Sequence, residues 1–212
     1  MRFFSFKIIA FLICAFSLSA YGQGGGDRVY TFQDHASIFG KNNISLSLIP
    51  LLRQGFEVNY DRRLVERHWL RLSPIYFRIE DYKQSFPEDM RRLTGYGAKF
   101  SHKYFPYANT EKKLGFFLSY GPTYQYIDLE TKNHKRVVFD KIGFECVIGT
   151  RKVFLNVFYY EFHIGLASNY LNVRNDETAD WRAVLEKHNT MWFDYGKTGN
   201  FVTLGFSLGV LF

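Results

Sequence analysis

Apolar and polar residues alternate one for one along most of the chain. From Asn200 to Phe212, Val202, Leu204, Phe206, Leu208, Val210 and Phe212 take every second position, with Thr203, Gly205, Ser207, Gly209 and Leu211 between them. A period of two is the signature of a β-strand whose two faces meet different surroundings. The rhythm recurs upstream. Ile44, Leu46 and Leu48 are spaced by Ser45 and Ser47, Phe56, Val58 and Tyr60 by Glu57 and Asn59, and Leu70 and Leu72 by Arg71. Beyond Pro74 the apolar phase moves by one residue, to Ile75, Phe77 and Ile79, as it would at a β-bulge. Segments over Tyr96–Tyr104, Leu114–Tyr120, Ile142–Ile148 and Phe158–Leu166 complete eight strands.

The connections are charged or carry proline: Asp61–Arg67, Glu80–Arg92, Pro106–Lys113, Ile127–Arg136, Thr150–Lys152 and, longest, Ala167–Gly199. Within the last, Trp181, Val184, Leu185 and His188 fall at i, i+3, i+4 and i+7. Acidic residues precede this run and basic ones end it, so Thr178–His188 reads as a short helix. The expected fold is therefore all-β: an eight-stranded antiparallel up-and-down barrel with a short helix in the last long loop. A connection longer than about 15 residues is usually functional or disordered. Trp181, Val184, Leu185 and Trp192 are its candidate contact residues.

The first residues belong to something else. Arg2 and Lys7 precede the apolar run Ile8–Phe16, and the small residues of Ser17–Gln23 follow, which is the layout of a secretory signal peptide cut after Gly22. That leaves 23–42 as an N-terminal segment and 43–212 as the barrel. No stretch reaches the roughly 18 apolar residues of a spanning helix, so any crossing of a membrane is by strands. Export removes nucleic acid as a partner for the basic chain, whose formal charge is +7. Its Lys and Arg residues gather in the connections: Arg62, Arg63 and Arg67; Arg91 and Arg92; Lys112 and Lys113; Lys135 and Arg136; Arg151 and Lys152. The outer ones would suit the phosphates of a lipopolysaccharide surface. Aromatics make up 19 % of the chain, an excess that girdles at two bilayer interfaces would explain.

Alternation alone does not say which face is inside. A soluble lipocalin-like carrier would turn its apolar face inward around a ligand, and a membrane barrel would turn it toward lipid. Glycine, serine, threonine and charged residues on the alternate face favour lipid outside and a narrow polar lumen. Cys146, left alone once Cys14 departs with the signal, then reads as a small lipid-facing hydrophobe.

The alternating strand that ends on Phe212 resembles the C-terminal signal of bacterial outer-membrane barrels, with Phe206, Leu208, Val210 and Phe212 as the residues read by the assembly machinery. The Asn43–Leu64 hairpin, with Pro50 and the return Gly-Phe-Glu-Val-Asn-Tyr-Asp-Arg-Arg-Leu from Gly55, is similar to the opening hairpin of outer-membrane barrels common in Bacteroidota. Taken whole, the mature chain resembles the small eight-stranded barrels of the OmpX/Ail and OmpA-transmembrane type. The resemblance implies an outer-membrane location and a non-enzymatic protein. Its partners would be membrane lipid, lipopolysaccharide, the barrel-assembly machinery and a surface partner held by the loops. With a periplasmic C-terminus, the connections after strands one, three, five and seven face outward.

Candidate chemistry lies on the polar face. Glu57, Asp61, Arg71, Lys99, Lys141, Glu145, Glu161 and His163 would line the interior, which in an eight-stranded barrel is just wide enough to be filled by side chains. Hairpin registers pair Asp61 with Arg71 and Lys141 with Glu161, as a lumenal ion-pair plug. The histidines are scattered, and no HExxH, CxxC, GxSxG or phosphate-binding glycine loop occurs, so no metal or cofactor is expected. Glu161, His163, Ser168 and Asn169 form the one catalytic candidate. Eight-stranded lipid A deacylases carry a His-x-Ser-Asn element, and the likeness implies a lipid A-modifying hydrolase as the alternative function. Here His163 and Ser168 are five apart, which puts them on opposite faces of a continuous strand.

Overall fold

The computed structural model describes residues 39–52, 54–80, 90–109, 112–176 and 199–212. The order of elements is β1 (Asn42–Ser47), α1 (Leu48–Leu52), β2 (Gly55–Val65), β3 (His68–Glu80), β4 (Met90–Asn109), β5 (Leu114–Thr131), β6 (Arg136–Phe154), β7 (Phe158–Asp176) and β8 (Gly199–Leu211). Each strand pairs antiparallel with the next, and β8 returns to β1, so the sheet closes into an eight-stranded up-and-down barrel. The expected helix over 178–188, the signal peptide and most of the N-terminal segment lie outside the described residues.

The chain enters and leaves the ring at one end, here the base, where Asn42 and Phe212 exchange two backbone hydrogen bonds of 2.9 Å. Two of the base connections are short. Glu66 and Arg67 join β2 to β3, and residues 155–157 join β6 to β7, with Leu155 and Asn156 both at positive φ. The opposite end, the top, carries α1, the β5–β6 turn over 132–135 and the longer connections.

The apolar face is the outer one. Ile142, Ile148, Val202 and Leu204 are all more than half exposed, whereas Asp61, Lys103, Arg151 and Glu161 are fully buried. A lipocalin-like arrangement, with an apolar cavity inside, is thus reversed in this barrel. Over β8 the residues of each face are those read from the alternation.

The strands run further than the alternation suggested. β2 continues through Val65, β5 through Thr131, β6 from Arg136 to Phe154 and β7 to Asp176, taking in residues assigned above to turns and loops. The phase change at Pro74 is also not a bulge. β3 keeps one register with β4 from His68 to Glu80, and its pairing with β2 is in step on both sides of Pro74. What changes is the polarity of the faces. Above Pro74, Ile75, Phe77 and Ile79 point inward and join Leu93, Ile127, Leu129, Val137 and Phe139 in a buried apolar core. The outward positions beside them are Arg78, Asp128, Glu130, Arg136 and Asp140. Pattern-reading that assumes one greasy face ends the strand where the greasy face switches sides, although backbone pairing continues.

Candidate functional site

The lumen is filled in layers. At the base, Phe39, Trp69, Phe105, Phe117, Val153 and Tyr159 form a second apolar core that closes the cylinder. Immediately above lies a five-membered charge cluster. Asp61 comes from β2, Arg71 from β3, Lys103 from β4, Arg151 from β6 and Glu161 from β7, each at an inward position of its strand. Arg71 donates Nε to Asp61 Oδ1 at 2.5 Å and Nη2 to Glu161 Oε2 at 2.6 Å. Lys103 Nζ reaches Glu161 at 2.7 Å and Asp61 at 3.2 Å. Arg151 donates Nε to Glu161 Oε1 at 2.6 Å and also bonds Asp61 through Nη2.

Buried ions are costly unless every one is paired and hydrogen-bonded. Aromatic faces supply further compensation here. The Arg151 guanidinium sits 4.4 Å from the centroid of Tyr159 and 5.3 to 5.7 Å from those of Phe105, Trp69 and Phe39, and Lys103 Nζ lies 4.4 Å over Phe117. The base core is therefore aromatic where it meets the cations, as cation–π attraction favours.

A second tier lies nearer the top. Lys99 Nζ bridges Glu57 and Glu145, at 3.2 Å from each. Ser47 donates to Glu57 at 3.2 Å, Asn59 donates to Ser45 and Ser47, and Ser73 donates to Asn59 at 2.6 Å. Across the two tiers Arg71, Lys103, Arg151 and Lys99 balance Asp61, Glu161, Glu57 and Glu145 one for one. A cavity of about 30 Å³ lies between them, lined by Glu57, Arg71, Lys99, Ser119, Glu145 and His163 among others. That is room for one or two waters and no more. The top core then seals the other end.

Of the eight residues read as a lumenal network, the register brings Asp61, Arg71 and Glu161 into the first tier and Glu57, Lys99 and Glu145 into the second. Lys141 and Glu161 do not meet. Lys141 stands opposite Leu171, nearer the top, with its Nζ 5.6 Å over the ring of Phe201, and the partner opposite Glu161 is Arg151. The pairing failed because the β6–β7 turn lies at 155–157 rather than 150–152, which moves the register. His163 lines the cavity with its Nδ1 buried and without a hydrogen-bond partner, and its ring occupies the space left by Gly205.

Lys103 and Arg151 were missed by the sequence reading. Lys103 is the next inward position after Lys99 and Ser101, and Arg151 the next after Val147 and Gly149, so the signal was the alternation itself, followed two residues further. The catalytic candidate is not assembled: His163 faces the lumen, Ser168 lies on the outward face of the same strand, and Glu161 has both carboxylate oxygens engaged by cations. Among the described residues no group of three or more His, Cys, Asp or Glu is placed to hold a metal ion. Phe206, Leu208, Val210 and Phe212 line the outward face of β8 and the residue that follows it. Trp181, Val184, Leu185 and Trp192 lie outside the described residues.

These features define a class: a closed eight-stranded antiparallel barrel with an apolar exterior and an occupied, charge-paired interior. No protein-family model and no curated protein matches the chain. Among solved structures it is similar to the N-terminal β-barrel domain of Pseudomonas aeruginosa OprF, at 13 % identity and a TM-score of 0.40, covering 81 % of this chain and 98 % of that one. It is also similar to Acinetobacter baumannii CarO, at 8 % identity and a TM-score of 0.40, covering 84 % and 100 %. A third, Acinetobacter baumannii CarO2, gives 11 % identity and a TM-score of 0.32, covering 80 % and 95 %. Likeness this distant carries nothing about activity.

Proposed function

We propose that the protein is a non-enzymatic outer-membrane β-barrel, of the OmpX/Ail kind in its build, that crosses the bilayer as a closed, non-conducting cylinder. Its surface connections, chiefly the one that the longer β7 narrows from 167–199 to 177–198, meet a partner protein or the lipopolysaccharide surface. The observation that carries the location is the exterior. An apolar belt is bounded by two aromatic rows, with Tyr104, Tyr107, Phe116, Phe154 and Phe158 toward the base and Tyr76, Tyr96, Tyr124, Tyr126 and Tyr170 toward the top.

On β5 the belt runs from Phe116 to Tyr126. Ten steps of about 3.3 Å along a strand tilted about 40° give about 25 Å, the height of the apolar band of such barrels. Beyond the top row, outward residues become charged and inward ones apolar, as they would where a barrel leaves lipid for water. A closed ring also leaves no unpaired sheet edge for hydrocarbon to meet. No helix among the described residues is long and apolar enough to cross a membrane, and strands do not need one. The plugged lumen supports a non-conducting reading, and it moves any recognition to the surface.

The test is heat-modifiability combined with fractionation. Protein from isolated outer membranes is expected to migrate differently on a gel with and without boiling in detergent. A soluble periplasmic protein with no boiling-dependent shift would refute the membrane reading.

A further inference from the structure

We propose that the outward face of β2, β3 and β4 at the base holds the phosphate of an anionic phospholipid in the periplasmic leaflet, an assignment that rests on the membrane reading above. Three polar side chains interrupt the apolar belt there, and they are joined in a row. Tyr120 Oη lies 3.0 Å from His102 Nδ1, and His102 Nε2 lies 3.0 Å from His68 Nδ1. The imidazoles of His68 and His102 stack at 5.1 Å, and Tyr104 covers His68 at 4.9 Å.

Neutral imidazole has one N–H and one acceptor nitrogen. With Tyr120 donating to His102 Nδ1, His102 donates through Nε2 to His68 Nδ1, which leaves the His68 proton on Nε2. The polar groups that face lipid thus satisfy one another, and the single free donor emerges at the first residue of β3, at the base rim.

That donor sits in a cationic surround. Arg62 is exposed on the outward face of β2, opposite Leu70 and hence diagonal to His68, within reach of a long side chain. Arg67 immediately precedes His68, and Lys41 pairs its carbonyl with the amide of Arg63 beside them. The acid in the same turn is Glu66; Asp61 points into the lumen and is consumed by its cations. A phosphodiester at the leaflet surface would accept from His68 Nε2 and from Arg62 while its chains lie along Leu70, Leu72 and Phe100. A free phosphate offers the same oxygens without the chains.

The test is native mass spectrometry of the full-length protein released from phosphatidylcholine nanodiscs doped with phosphatidylglycerol. Wild type is expected to retain one phosphatidylglycerol in preference to phosphatidylcholine. The double variant Arg62→Gln, His68→Gln should lose that preference by at least about fivefold, the share of one interfacial cation. Lys112→Gln, Lys113→Gln, which removes charge at another base turn, should keep it.

His102→Phe preserves the aromatic stack but releases His68, and should lower retention while the boiling-dependent gel shift is unchanged. Equal retention of both lipids, equal loss in the Lys112, Lys113 control, or displacement by inorganic phosphate would each overturn the assignment. Failure of the membrane reading shows up separately, as protein that does not enter the nanodisc.

Discussion

Replacing Glu161 by glutamine tests whether the lumenal charges act as one balanced unit. Glu161 accepts from Arg71, Lys103 and Arg151 at 2.5 to 2.7 Å, and it is fully buried. In Glu161→Gln one oxygen becomes an NH₂ group that faces cation donors, and four buried cations are left against three carboxylates. Removing one partner of a buried ion pair costs about 3–5 kcal/mol, because the charge left behind is neither solvated nor paired. Set against a total of about 5–15 kcal/mol, this is a large share of the stability of an ordinary domain.

Adding Lys103→Met restores the balance and leaves Asp61 with both arginines. The double variant should recover all but about 1–2 kcal/mol, since a buried pair replaced by an apolar group of similar shape is often nearly neutral. Urea titration of the barrel refolded into lipid vesicles, followed by gel mobility without boiling and by tryptophan fluorescence, measures both. A loss of less than about 1 kcal/mol for the single variant, or a double variant no better than the single, would show that the charges are hydrated individually and would refute the argument.

Three further outcomes follow from the same geometry. In planar bilayers the purified barrel should give no discrete conductance steps, because apolar cores close both ends of a lumen whose cavity holds about 30 Å³; regular single-channel steps would contradict the plugged interior. Cys146, on the outward face of β6 between Phe144 and Ile148, should react in membranes with a lipid-soluble maleimide and resist a charged, membrane-impermeant thiol reagent, with mass spectrometry as the readout; the opposite pattern would turn the faces around. At the top, Arg174 Nε donates to Asp140 Oδ2 at 2.5 Å on the outward face, with the arginine more than half exposed. An exposed ion pair contributes at most about 1 kcal/mol, so Arg174→Gln should leave the urea midpoint of the same titration nearly unchanged, and a loss above about 2 kcal/mol would contradict that.

The barrel was legible in the sequence wherever one face was lipid-like and the other small or polar. β8 is the clearest case, where Val202 to Phe212 mark the outward face without a break. Legibility failed above Pro74, where Ile75, Phe77 and Ile79 continue the same strand but face inward; period-two patterning reports that two faces differ, not which one is inside. The same blindness shortened β5 to β7 and misplaced the β6–β7 turn. In sequence Arg151 therefore looks like a turn residue and Lys141 like the partner of Glu161, whereas the register sets Arg151 opposite Glu161 and Lys141 opposite Leu171. Asp61 and Arg71 meet as their hairpin suggests: the connection is short, and the bulge between Arg63 and Val65 sets Arg71 rather than Leu72 opposite Asp61. The gathering of five strands' charges onto one point could not be read from hairpins taken singly, since it depends on ring closure.

That convergence has a kinetic side. β2, β3, β4, β6 and β7 each bring one buried charge to the lower tier; the β2–β3 and β6–β7 hairpins carry the pairs Asp61–Arg71 and Arg151–Glu161 within themselves, but Lys103 on β4 finds its carboxylates only on β2 and β7. A hairpin that entered the bilayer by itself would carry Lys103 alone, or an ion pair short of the bonds it makes across the lumen, from Arg71 to Glu161 and from Arg151 to Asp61. Insertion one hairpin at a time is thus penalised at every intermediate. The favoured route keeps the polar faces hydrated until β1 and β8 meet and the whole set is enclosed together. A plug that makes the finished cylinder inert would then also enforce all-or-none assembly, in which a barrel lacking any one of those five strands is left outside the membrane rather than half-inserted.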